Sequence, residues 1–88
     1  MAKRHKIGVE IVSQQGHCAR GHRVGEKWTI TEKTPEGICL SAFSTIYPSV
    51  RTLMFGGSFP WESEADTATF ACPDADNPVV FKLTRLRE

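Results

Sequence analysis

The 88-residue sequence predicts a small α+β fold, a mostly antiparallel sheet in β-β-α-β-β order with one kinked helix packed across it. Three observations carry that expectation. Four short stretches alternate apolar with polar residues, one longer stretch repeats its apolar residues at helical spacing, and Gly- or Pro-containing turns separate them. The length suits one domain, residues 1–88, with a thin core, because a chain this short buries only about 60–65% of its unfolded surface. A composition of 40% hydrophobic and 24% charged residues argues against a disordered, collagen-like or coiled-coil chain.

Taken in order, residues 1–5 carry Lys3, Arg4 and His5 and are expected to fray. Lys6 to Ser13 places Ile7, Val9 and Ile11 on one face against Gly8 and Glu10, the pattern of a half-buried strand. Gln14 to Glu26, punctuated by Gly16, Gly21 and Gly25, reads as a long structured loop with Val24 as its core anchor. Lys27 to Thr31 gives a second strand with Trp28 and Ile30 on one side. Thr34-Pro35-Glu36 has the chemistry of a helix start: a capping hydroxyl, a proline suited to the first position and an acid at the positive end of the dipole. Cys39, Ala42, Phe43, Ile46, Val50, Leu53 and Met54 then form an amphipathic stripe. Pro48 is expected to kink the helix or split it after Tyr47, and Gly56-Gly57 to end it. Ser58 to Asp66 is a loop, Thr67 to Cys72 a strand and Pro73 to Pro78 a turn. Val79, Phe81 and Leu83 alternate inward along the last strand.

The longest unbroken apolar runs are three residues, such as Ile38-Cys39-Leu40, so neither a membrane span nor a signal-peptide core is expected. Net charge is +1, and no run of Lys and Arg interleaves with aromatic residues, which speaks against nucleic-acid binding. Lys82, Arg85 and Arg87 could join the basic amino terminus, leaving the acids of residues 56–81 as an opposite edge. The glycine loop of phosphate-binding proteins, the G-x-S-x-G nucleophile and the H-E-x-x-H zinc motif do not occur.

The three cysteines are the chemically informative residues. An odd number without a secretory signal argues against a disulfide framework and for a reducing, cytoplasmic setting, where thiols serve as metal ligands or reactive groups. Cys18 lies in G-H-C-A-R-G-H, between His17 and His22 and near Arg20 and Arg23. Thiolate and imidazole are the donors zinc favours, thiolate those of iron–sulfur clusters, and nearby cations favour thiolate. Cys39 falls on the core stripe in the second turn of the expected helix, where Gly37 would weaken that helix unless another group approaches closely. Cys72 precedes Pro73-Asp74 at a strand end. A simple up-and-down path puts Cys39 and Cys72 at one end of the domain and Cys18 at the other. The thirteen-residue loop from Gln14 to Glu26, at about 3.3 Å per residue, is long enough to fold back to them.

C-A-R-G-H-R-V-G-E, P-E-G-I-C-L-S-A-F, Y-P-S-V-R-T-L-M-F-G-G-S-F-P-W and A-C-P-D-A-D-N-P-V-V-F-K-L together cover most of the chain from Cys18 onward. In these stretches the sequence resembles a TIGR-series family of short prokaryotic proteins without an assigned activity, many of them from anaerobes. The resemblance implies cysteines at positions matching Cys18, Cys39 and Cys72 and a thiol function shared among them. Three function classes follow. The first is a metal-binding protein in which Cys18, Cys39 and Cys72 ligate one iron–sulfur cluster or zinc, with a fourth position for His17, His22, water, substrate or a protein partner. The second is a metal-free thiol protein using Cys39 and Cys72 as redox partners. The third is a non-catalytic binding or assembly module with structural cysteines, whose thin core would favour a homodimer burying Phe59 or Trp61.

Overall fold

A computed structural model describes residues 4–87. Of the amino terminus expected to fray, residues 1–3 lie outside the described residues. The elements are β1 (Lys6–Gln14), β2 (Lys27–Ile30), α1 (Leu40–Met54), β3 (Thr67–Ala71) and β4 (Val79–Leu86). The strands form one antiparallel sheet in the order β2-β1-β4-β3, with α1 across one face. This is the small α+β fold that the alternation predicts.

The core is where the two periodicities meet. Ile7, Val9 and Ile11 of β1, Ile30 of β2, Ala68 of β3 and Val79, Phe81 and Leu83 of β4 face the helix. Ala42, Ile46, Val50, Leu53 and Met54 of α1 close over them. Every second strand residue and one stripe of the helix therefore supply the same buried layer. Val12 is the extra residue of a bulge between the Ile11–Phe81 and Ser13–Val80 pairs, and it re-aims the end of β1.

Several local expectations are corrected. The helix starts at Leu40 with Cys39 as its cap, six residues after Thr34. Gly37 accounts for the delay: its φ of +92° is a left-handed conformation that helical backbone excludes. Its neighbour Glu36 accepts a 3.0 Å hydrogen bond from Trp28 Nε1, which ties the segment after β2 back against that strand. The helix runs unbroken from Leu40 to Met54 through Pro48. Val24 is 60% exposed, and the buried residue of its loop is His22. Arg85 and Arg87 do not add to a basic surface, because both pair with Asp66 at 2.8 Å, while Lys82 pairs with Glu64 at 3.6 Å. Trp61 is 67% exposed and lies against Phe59, the ring that packs on the core.

The delayed helix changes the topology of the site. β2 runs away from the Gln14 end of β1, since Lys27 pairs with Glu10 and Ile30 with Ile7. Residues 31–39 then travel back along the fold before α1 begins. The start of α1, the end of β3 and the loop after β1 consequently share one end of the molecule. No helix among the described residues is long and apolar enough to cross a membrane.

Candidate functional site

Cys18, Cys39 and Cys72 line a single half-open cavity of about 330 Å³ at that end. Ala19 and Arg20 complete its wall from the first loop, Ser41 from α1, and Pro73, Asp74 and Asn77 from the β3–β4 turn. All three thiols are free and half-buried. The loop carrying Cys18 has no need to fold back across the domain, because it leaves β1 at the same end as the other two.

Each cysteine is held by its own local device. The Gly21 N–H donates to the Cys18 carbonyl at 2.9 Å, closing a tight turn over Cys18–Gly21, and Gly21 leaves it at φ +78°. The base of this loop is pinned to the β3–β4 turn. Gln15 N–H donates to the Pro78 carbonyl, and His17 N–H donates to Asn77 Oδ1 at 2.8 Å. Asp74 in turn accepts from the Asp76 and Asn77 N–H groups and from the Asn77 side chain. A Cβ on Gly16, at φ +69°, would collide with Asn77 Oδ1.

Cys72 extends the β3–β4 ladder by one residue. Its N–H donates to the Val79 carbonyl at 2.9 Å, and the Val79 N–H donates to Cys72 Sγ at 3.3 Å. The sulfur is thereby directed by backbone rather than by a neighbouring side chain.

Cys39 is the residue before the first turn of α1, and its carbonyl accepts the first helical hydrogen bond, from Phe43 N–H at 2.8 Å. The sulfur makes no short capping hydrogen bond as a thiol. Its ionised form is nevertheless favoured, first by the Ala42 N–H and then by the Ser41 N–H and the Arg20 guanidinium, which together hold the thiol below its ordinary value against the opposing effect of burial. The first turn contains no acid to oppose this.

The two histidines are placed differently from one another. His17 is exposed and does not line the cavity. His22 is 6% exposed, with its ring set edge-on to Trp28 at 5.5 Å and to Phe81 at 6.1 Å. Its Nε2 accepts the Cys39 N–H at 2.9 Å, so the ring proton resides on Nδ1 and is donated to Glu26 Oε1 at 2.9 Å. Glu26 also accepts the Arg23 N–H at 2.9 Å, and these bonds, Arg23 first and His22 second, keep its carboxyl ionised below the usual range. Both ring nitrogens of His22 are thus engaged within the fold.

Among the described residues, no group of three His, Cys, Asp or Glu side chains is placed to hold a single metal ion. Thiolates about 2.3 Å from one zinc would have to lie about 3.8 Å from each other in a tetrahedron. Cys18, Cys39 and Cys72 instead line a space large enough for a multi-atom occupant. Arg20, Ser41 and Asn77 were not singled out by sequence reasoning as lining residues. Arg20 stood in the G-H-C-A-R-G-H motif beside Cys18, and in the fold its guanidinium also acts on Cys39. No protein-family model, curated protein or solved structure matches this chain.

Proposed function

We propose that this is a small cytoplasmic thiolate-ligand protein whose Cys18, Cys39 and Cys72 hold one iron–sulfur cluster, with a coordination position left for an external ligand. The observation that carries this reading is the meeting of three free cysteines, from three separate segments, at one cavity of about 330 Å³. The Val79 N–H directed at the Cys72 sulfur supports it, since such donors stabilise ligand thiolates and tune cluster potentials. A cluster suits the cavity better than a lone zinc because its ligand sulfurs surround a multi-atom core. Neither histidine faces the cavity, so the fourth ligand would come from solvent, substrate or a partner.

Anaerobic incubation with ferrous iron and sulfide tests the proposal. The expected result is a coloured protein that retains iron and acid-labile sulfide through desalting, and loses both when Cys18, Cys39 or Cys72 is replaced by Ser. A colourless, iron-free product with native circular dichroism would overturn it, as would retention of zinc in preference to the cluster.

The lowered thiol of Cys39 also favours a second reading, in which Cys39 and Cys72 act as a metal-free redox pair across the cavity. That reading expects a Cys39–Cys72 disulfide on mild oxidation, visible by peptide mapping, and no stable iron.

A further inference from the structure

We infer that the cleft between α1 and residues 31–34 binds a small carboxylate carrying a single apolar ring. The cleft shares no lining residue with the cysteine cavity, so this ligand site is independent of the cluster reading.

The cleft exists because the chain delays its helix. Residues 31–34 leave β2 as a strap beside α1, and the two enclose about 200 Å³. Ile30, Val50 and Met54, all buried, give the cavity an apolar floor. Phe43 and Tyr47, with ring centroids 5.8 Å apart, add an aromatic wall. A cavity of about 150 Å³ takes up benzene, so this one has room for one ring and a small polar head.

The charge around the cleft is one-sided. Arg4, Lys33 and Arg51 line it against a single acid, Glu32. Glu32 is mostly in water and comes only within 3.9 Å of Arg4, a pairing that solvent weakens. Among the described residues no carboxylate pairs with Lys33 or Arg51.

Arg51 is also set in place. Phe43, Tyr47, Arg51 and Phe55 follow one another at four-residue spacing, the spacing of neighbours along one ridge of a helix. The Arg51 guanidinium lies over the Phe55 ring at 4.9 Å and donates to the Tyr47 hydroxyl at 3.4 Å. Arg4 lies over the same ring at 5.3 Å. Two like charges thus gather on one ring, an arrangement that an anion beside them relieves. The Tyr47 oxygen, already accepting from Arg51, keeps its own proton to donate. A carboxylate meets a guanidinium fork with two parallel bonds and accepts that hydroxyl as a third donor. Its ring then covers the apolar floor, the mixture of lining groups typical of small-molecule sites.

Titration of the nitrogen-15-labelled full chain with phenylacetate at pH 7, read by amide chemical shifts, tests the inference. The expected result is saturable shifts centred on residues 30–34 and 43–55, with a Kd of about 1 mM or tighter. Benzyl alcohol has the ring without the charge, and inorganic phosphate has the charge without the ring. Each should bind about tenfold more weakly or worse. Arg51→Gln removes a charge-assisted pair at an exposed position and should weaken phenylacetate by about tenfold. Arg4→Gln, on another segment, should weaken it in the same direction. Four results would each overturn the inference: no saturation by about 10 mM, equal binding of either control compound, wild-type affinity in Arg51→Gln, or shifts centred on Arg20, Ser41 and Asn77. Should Arg51→Gln fail to fold, the comparison of the three compounds on the wild-type protein decides.

Discussion

The two ends of α1 solve the same problem in opposite ways. At the carboxyl end all four terminal carbonyls find donors. Arg51 accepts from Phe55 N–H, Thr52 from Gly57, Leu53 from Gly56 and Met54 from His5. The Gly56 and Gly57 bonds, with Gly56 at φ +93°, form a Schellman motif. Arg85, 5% exposed, then adds bonds to the Leu53 and Gly57 carbonyls and pairs with Asp66, which Arg87 also holds. At the amino end the Ser41 and Ala42 N–H groups favour the ionised form of a half-buried sulfur at the edge of a cavity, with no side-chain capping hydrogen bond made by the thiol. A closed network of strong partners marks the scaffold, and a helix end finished by a polarisable, ionisable atom marks the site.

The largest expected effect comes from breaking the closed end. Arg85→Met leaves two carbonyls and Asp66 without their buried donor and should cost about 3 kcal/mol. For a domain of this size that lowers Tm by about 12–24 °C. The cavity at the other end should keep its relative cysteine reactivities in the cold, where the variant is folded.

Acidification attacks the same network more gently. The Arg87 and Arg85 guanidiniums hold the Asp66 carboxyl far below the usual range. A depressed folded-state pKa confers stability that is fully present above the unfolded value, about 3.9, and is lost as pH falls through the folded one. Thermal melts should therefore drop below about pH 4, and Asp66→Asn should flatten that dependence while lowering Tm at pH 7.

At the open end the effects on stability are smaller and those on chemistry larger. Gly16→Ala forces a side chain into a left-handed position and against Asn77, at about 1–2 kcal/mol. The His17–Asn77 clasp should loosen, seen as faster alkylation of Cys18 relative to Cys72. Cys72→Ser should change stability by no more than about 1 kcal/mol, because the hydroxyl can still accept the Val79 N–H. The same substitution should abolish iron retention. A Cys72→Ser protein destabilised as strongly as Arg85→Met would erase the contrast between the two ends.

Much of the fold was legible because it rests on local periodicity. Ile7, Val9 and Ile11, the Ala42-to-Met54 stripe and Val79, Phe81 and Leu83 are buried as their spacing predicts. The meeting of the cysteines was legible only as far as the three thiols themselves, and by the wrong route. Thr34-Pro35-Glu36 has every local feature of a helix start, yet Gly37 overrides it, and the displaced start brings Cys39 to the Cys18 end. Arg85 continues the inward alternation of Val79, Phe81 and Leu83. Its burial makes sense only once the carbonyls at the end of α1 and Asp66, nineteen residues away, are known to converge on it. The His17–Asn77 and His22–Cys39 bonds join residues 60 and 17 apart and leave no local signature.

The pairing of Lys6 with Leu86 carries one more consequence. The central strands β1 and β4 begin and end side by side at the arginine end, opposite the cysteines. A carrier protein, surface or fused segment joined before Lys6 or after Leu86 would therefore hang from the same pole. Either attachment would leave the thiol mouth pointing away from its tether, accessible to a docking macromolecule or an electrode.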